Sequence, residues 1–271
     1  MAAGQVQGGT SHFGGAPQRG ARIAGRLSLI LVLLAVYVVS LRLADVNLRA
    51  LADGLPRMAD WAGRAWPPST ADLGTLLLRA AETFAIALIG TTLAAVLALA
   101  TCTFAARNIT PSGIVRLPTR WLLNTLRGID SFVFAILFVA AVGLGPFAGV
   151  LGIALHTWGS MAKLFAETIE DMPPGPLDAV RLTGASRLKV VSYALVPDVL
   201  PGLSSVGLYM LEFNVRTSTV LGIVGAGGIG LELKNSLDLL NFPRLLTVII
   251  IILVMVTAVD QLSSRVRRRL G

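Results

Sequence analysis

The segment DMPPGPLDAVRLTGASRLKVVSYALVPDVLPG, residues 171–202, interrupts two apolar stretches with polar residues and carries the densest local instruction in the chain. Pro176 can open a helix, because its missing N–H is one of the donors that a first turn leaves unpaired. Asp178 then falls in that first turn, where a negative charge suits the helix dipole. Gly184 can end the helix in a left-handed cap, and Ser186 can cap a second short helix. Pro197 and Pro201 set the bends back toward apolar sequence. The pattern predicts a short helix, a hinge and another helix. By composition alone, such a segment reads first as a surface strut.

Its surroundings make it a loop beside a membrane. Of 271 residues, 54% are hydrophobic and only 14% are charged, where a soluble domain carries about a quarter charged residues. That balance excludes a soluble enzyme with one ordinary core, and the high hydrophobicity excludes a disordered chain. A helix crossing the ~30 Å hydrocarbon layer needs about 20 mostly apolar residues. Candidate spans lie at 27–43, 84–106, 131–144, 147–160, 201–224 and 245–259. The third extends back toward Arg127 and the fourth on toward Lys163, with Gly145 and Pro146 between them as a tight turn. The expected fold is therefore an all-α polytopic membrane protein with about six transmembrane helices.

The net charge of +8 acquires meaning once it is placed on this topology. With both termini cytoplasmic, the inner segments hold fifteen of the 23 basic residues: Arg19, Arg22, Arg26, Arg107, Arg116, Arg120, Arg127, Lys163, Arg181, Arg187, Lys189, Arg265, Arg267, Arg268 and Arg269. Seven lie outside and Arg216 lies within a span. This bias orients the chain and removes the nucleic-acid reading of its charge. The organisation expected is a flexible tail over 1–25, a first span and outer segment over 26–75, a transmembrane domain over 76–265 and a basic tail over 266–271. Leu48, Leu51, Leu55, Met58 and Trp61 recur at helical spacing, as an amphipathic helix at the outer interface or against the protein's own outer face would require. The sequence after the first span, ADVNLRALADGL, is only a weak signal-cleavage candidate.

At residues 178–197 the loop resembles the EAA motif of ABC importer membrane subunits, which reads Glu-Ala-Ala, three residues, Gly, nine residues, Ile, one residue, Leu-Pro. Here it stands as Asp178-Ala179-Val180, Gly184, Ala194 and Val196-Pro197, with the spacing intact and four conservative departures. The resemblance runs from about Glu82 to Gln261. It is nearest to the phosphonate importer permeases through residues 127–159, KLFAE at 163–167, RLTGAS at 181–186 and EFNVRTSTVLGIVGAGGIG at 212–230. Relatives often read Arg-x-Ile-Pro-Glu where this chain has Arg127-Gly128-Ile129-Asp130-Ser131, so the particular oxyanion, phosphonate, phosphite or phosphate, stays open.

The resemblance implies a type I importer transmembrane domain in a bacterial inner membrane. It implies a dimer of permeases, most simply a homodimer, with two copies of an ABC ATPase subunit and an extracytoplasmic phosphonate-type binding protein. The loop over 171–201 would be the coupling helix, with Asp178, Ala179, Arg181, Gly184, Ala185, Ser186, Arg187 and Pro197 docking in a groove of the ATPase. ATP and Mg would then be bound by that partner, with no cofactor on this chain, no catalytic residue and no enzyme activity of its own. An ATP-independent secondary transporter is the competing class, which internal inverted repeats would favour; none is evident.

Glu212, Asn214 and Arg216 are polar groups within a span. An ionised side chain at mid-bilayer costs roughly 2.5–3.5 kcal/mol even on lenient scales, so their face must be hidden from lipid. Glu212 and Arg216, four apart, can pair along one face. Either they lock the helix, or Arg216 with Thr217 and Ser218 lines the path for an anion. Gly225, Gly227 and Gly228 belong to a sequence that formally fits GxGxxG. A dinucleotide site needs a preceding strand within a βαβ unit, whereas this turn follows a membrane span. The resemblance implies instead a turn near the outer mouth of the pathway. His156 and Cys102 read as packing residues, and neither belongs to a cluster with metal-ligand spacing. Lys163 and Glu167 are spaced to pair.

Overall fold

The computed structural model describes residues 17–110 and 112–270, excluding the side chains of 17–24, Pro174, Leu177, Arg181, Arg187, Leu188, Val191 and Leu270. Most of the tail expected over 1–25 thus lies outside the described residues. Every described element is helical. The chain divides into a unit ending at Asp60 and a larger one from Trp61 onward.

The first unit contains α1 (Pro17–Leu43) and most of α2 (Leu48–Ala65). The side chain of Asn47 caps α2, accepting from the backbone N–H of Arg49 at 3.0 Å and of Ala50 at 3.1 Å. The apolar row Leu48, Leu51, Leu55 and Met58 is exposed throughout, so the amphipathic helix forms as its spacing requires.

The second unit is built on α3 (Leu73–Ala105), 33 residues and about 50 Å long. Its buried face is a row of small residues, Ala80, Thr83, Ala87, Thr91, Ala94, Ala98, Cys102 and Ala105, spaced three or four apart. Small residues let backbones approach closely where lipid gives no hydrophobic drive for helices to associate. Against this row lies α6 (Pro146–Glu170), whose own small residues receive the neighbouring elements. A Cβ on Gly152 would stand 2.9 Å from the Ala135 nitrogen, and one on Gly159 would stand 2.7 Å from the Leu123 carbonyl oxygen.

Those two contacts bring in α5 (Ser131–Val142) and α4 (Gly113–Gly128), which bend by 85° at their junction. The Asp130 side chain accepts from the Phe132 N–H at 2.8 Å and starts α5 afresh. This corrects the expectation that the third span extends smoothly back to Arg127. Four described helices are long and apolar enough to cross a membrane, Gly25–Leu43, Leu73–Ala105, Ser192–Val224 and Phe242–Arg269, and the bent pair raises the number to five. At 25 residues α6 is also long enough to cross, but it carries His156, Lys163 and Glu167 and packs its small face inward.

The loop between α6 and the next long helix departs in detail from its expectation. Its helix, α7, spans Pro174–Leu182, so it starts two residues before Pro176. Gly184 has φ +74, the left-handed conformation its position requires. Beyond it α8 (Arg187–Val190) runs through a π-turn at Val191–Leu195 into α9 (Val196–Leu221). Pro197 and Pro201 therefore sit within helix, at the start and in the first turns of α9, and do not end it. A proline lacks the N–H for an α-helical bond and crowds the carbonyl four residues back, and the wider π-turn relieves that crowding just before Pro197.

Candidate functional site

Three polar constellations are built on this frame: the exposed loop, the polar stripe of α9, and the glycine turn that follows it.

In the loop, Asp178, Ala179, Gly184, Ser186 and Pro197 are exposed and Ala185 is half-buried. A Cβ added to Gly184 would meet nothing within 4 Å. The side chains of Arg181 and Arg187 lie outside the described residues. Under the loop, α7 and α8 contact the π-turn, and the buried Ala194 and Leu195 of that turn anchor the segment to the core. The arrangement is an exposed helical knob on a fixed base.

In α9, the polar residues divide between two surroundings. Asn214 is fully buried, donating to Thr91 Oγ1 of α3 at 2.8 Å and accepting from Thr157 Oγ1 of α6 at 3.1 Å. Ser218 is also buried and donates to the Thr83 carbonyl at 3.2 Å. These two tie α9 to α3 and α6 in the subunit interior. Arg216 is exposed on the opposite side of the helix, and half-buried Thr217 lies on the flank between. The expected Glu212–Arg216 pair does not form. Instead both reach across to α11 (Phe242–Leu270): Glu212 Oε2 accepts from Arg267 Nη2 at 3.0 Å, and Arg216 Nη2 stands 3.8 Å from Asp260 Oδ2. A partner 55 residues away supplies a charge-assisted hydrogen bond, which outcompetes an i,i+4 pair along one helix.

The glycine turn begins with a 3-10 turn at Gly222–Val224, and Gly225, Gly227 and Gly228 follow with φ of +89, +77 and +74. It leads into α10 (Ile229–Asp238), whose first N–H, on Ile229, donates to Thr83 Oγ1 at 2.7 Å. The carbonyl of Gly225 accepts from the N–H of Gly145 at 2.9 Å, so the turn docks on the α5–α6 turn as well as on α3. A Cβ on Gly222 would stand 2.6 Å from the Gly227 carbonyl oxygen. The segment is a backbone-on-backbone plug, and no strand precedes it among the described residues.

Above the plug lies a charge network that sequence spacing did not expose. Glu232 of α10, largely buried, receives Arg244 of α11 at 2.9 Å and stands 3.6 Å from Arg79 of α3, which also pairs with Glu82 at 2.7 Å. Arg244 lies 3.5 Å from Asp72. These charges bind together the ends of α3, α10 and α11 at the level of the turn. Near them, Trp61 stacks on Phe242 with ring centroids 5.7 Å apart. At the opposite end of α3, Glu170 closes on the Arg120 guanidinium and accepts from the Arg107 N–H at 2.6 Å, beside a cavity of about 250 Å³ that Asn124 and Lys163 also line. Lys163 lies 3.7 Å from Glu167, as their spacing predicts. His156 Nδ1 is 2.8 Å from the Ile129 carbonyl oxygen, bracing the α4–α5 junction. Among the described residues no three His, Cys, Asp or Glu converge as metal ligands.

The described residues thus form a polytopic helical domain with long apolar helices on either side of an exposed two-helix loop. The chain belongs to the family described as the binding-protein-dependent transport system inner membrane component, which matches residues 103–271. It is thus a multi-pass inner-membrane permease subunit. It is 48% identical over 236 residues to the putative phosphite transport system permease protein HtxC of Stutzerimonas stutzeri, covering 87% of this chain and 84% of that one. It is 39% identical to the phosphite transport system permease protein PtxC of the same organism, covering 91% and 89%. Against the phosphate-import permease protein PhnE of Mycolicibacterium smegmatis it is 38% identical, covering 85% of this chain and 43% of that one. Among solved structures, an inward-facing MetNI methionine ABC transporter chain matches with a TM-score of 0.67 at 21% identity, covering 75% of this chain and 99% of that one. The fold is therefore that of an ABC importer permease.

Proposed function

We propose that this chain forms the membrane path of an ATP-driven importer for phosphonate or a related phosphorus oxyanion such as phosphite or phosphate. Two copies would assemble with two ATPase subunits and an extracytoplasmic binding protein. The observation that carries the reading is the exposed α7–Gly184–α8 segment, raised on the buried base of Ala194 and Leu195. An isolated knob of this kind suits helix-in-groove docking, and a knob held rigidly in a socket passes on rigid-body movement. Closure of the ATPases on ATP would draw the two knobs together and open the path outward; hydrolysis would reset it inward.

Within the path, Arg216 offers positive charge to the anion. Its side chain is 59% exposed in a helix apolar enough to span, and a charge there must face protein or water. Asn214 and Ser218 hold α9 in place, and the glycine turn closes the outer end as a gate element. The substrate class follows from the relatives, and the binding protein would provide most of the selectivity. The test is ATP-dependent uptake of methylphosphonate and phosphite into proteoliposomes holding the full complex. Deletion of residues 176–188 should abolish both uptake and substrate-stimulated ATPase activity. Retained stimulation after that deletion overturns the coupling role.

A further inference from the structure

The two charged rungs between α9 and α11 are not alike. Arg267 is hydrogen-bonded to Glu212 and lies 3.4 Å from Ser264 Oγ, so that rung is well made. The Arg216–Asp260 rung, at 3.8 Å, is beyond hydrogen-bond distance. The second Asp260 oxygen, Oδ1, is buried and has no hydrogen-bond partner. Both side chains reach the subunit surface, 59% exposed for Arg216 and 37% for Asp260, within helices apolar enough to span. Asp260 also opens on a groove of about 200 Å³ lined by Gln261, Ser264, Arg265 and Arg268. The rung therefore pairs a guanidinium whose N–H fork is not hydrogen-bonded to this carboxylate with a carboxylate whose inner oxygen is covered and whose outer oxygen, Oδ2, faces the guanidinium at the surface, beside a basic groove.

We propose that Arg216 and Asp260 act together as a donor–acceptor pair that selects a singly protonated oxyanion, with Asp260 as the specificity-determining half. This rests on the reading of Arg216 as a path residue. The guanidinium fork donates to the anionic oxygens of a tetrahedral group, a geometry it matches bidentately. A P–OH on the same group donates to the outer Asp260 oxygen, Oδ2. A phosphoryl monoester loses its second proton near pH 6, so groups of this kind retain a protonated fraction close to neutrality. A sulfate-type dianion has no proton to give, and it meets the Asp260 charge as repulsion. A site built around a substrate hydroxyl rejects an analogue lacking it much more strongly than an apolar pocket can, because the polar partner is left unpaired.

The experiment uses the permease–ATPase complex in nanodiscs without binding protein, with radiolabelled methylphosphonate as probe and phosphite or sulfate as competitor. For the wild-type complex, phosphite should compete at least tenfold better than sulfate. In Asp260→Asn that preference should collapse toward equality while the complex elutes unchanged on gel filtration, and Asp260→Glu should restore it. Asp260→Ser carries the same test if the amide variant fails to assemble. An unchanged preference in an assembled Asp260→Asn or Asp260→Ser complex overturns the selection role alone. Unaltered methylphosphonate binding by Arg216→Ala overturns the underlying path reading, and no binding by the wild-type complex overturns both.

Discussion

Gly184 and Gly228 share a positive φ, +74 in each, in opposite surroundings. Around Gly184 there is open space, and a Cβ would touch nothing within 4 Å. Around Gly228 a Cβ would overlap the Thr83 hydroxyl and stand 3.3 Å from Thr83 Cα. The first glycine is needed only for the hinge it makes, and the second for the hinge and for the contact. One turn stands open at the subunit surface, and the other closes against the subunit's own helices. Substitutions that separate strain from packing should therefore separate assembly from function.

The largest effect on stability is expected at Gly228→Ala. With φ +74 and ψ −167, Gly228 lies in a region that is essentially glycine-only, so a residue with a Cβ costs about 1–3 kcal/mol there, and overpacking adds about 1–3 kcal/mol. The Thr83 hydroxyl cannot retreat without abandoning the Ile229 N–H. A fall of about 3 kcal/mol, seen as a lowered Tm of the detergent-solubilised complex, is expected. A Tm within a degree or two of wild type would mean that the plug is looser than its contacts indicate.

Next comes Thr83→Val, which keeps the volume and removes the acceptor. The buried Ile229 N–H then has no partner, at a cost of about 1–3 kcal/mol. Thermal unfolding of the variant beside Thr83→Ser, which retains the hydroxyl, separates the hydrogen bond from the packing: serine should recover most of the loss.

Gly184→Val should cost only the backbone strain, about 1–2 kcal/mol, because no neighbour is struck. Its functional effect should exceed its structural one. Uptake and substrate-stimulated ATPase activity should both be lost from a complex whose permease still purifies intact. Normal uptake by this variant would show that the hinge is not used in coupling.

The asymmetry between these two turns also marks how much of the molecule is legible in its sequence. Gly184 was readable because its role is local: a helix stop between two short helices, announced by its position after an apolar turn. The apolar spans were readable for the same reason, since about 20 consecutive apolar residues need no partner to declare themselves. The α4–α5 bend was half-readable, as Asp130 stands immediately before the apolar run that it caps. The partners of Glu212 and Arg216 were not readable, because spacing along one helix can nominate only residues on that helix, whereas Arg267 and Asp260 come from another. Likewise nothing in the spacing of Asn214 points to Thr91, 123 residues away, or marks Thr83 as the residue that seats the glycine turn. The loop was visible in sequence and the core that positions it was not.

Two pairs spaced four apart carried the same expectation, and only one of them forms, which leads to the smallest effect. Lys163 and Glu167 lie 3.7 Å apart on α6, with side chains 36% and 49% exposed. Both line the cavity closed by Arg120 and Glu170, yet neither depends on the other for desolvation. An exposed pair of this geometry contributes about 0–1 kcal/mol, since solvent screens the attraction and ordering two long side chains costs entropy. Lys163→Ala should accordingly shift Tm by no more than a degree or so and leave uptake near wild type. Glu212→Ala should behave differently, because it leaves the largely covered Arg267 guanidinium without its carboxylate. If Lys163→Ala proved as damaging as Glu212→Ala, the cavity beside Arg120 and Glu170, rather than the α9–α11 rungs, would hold the charge that the subunit depends on.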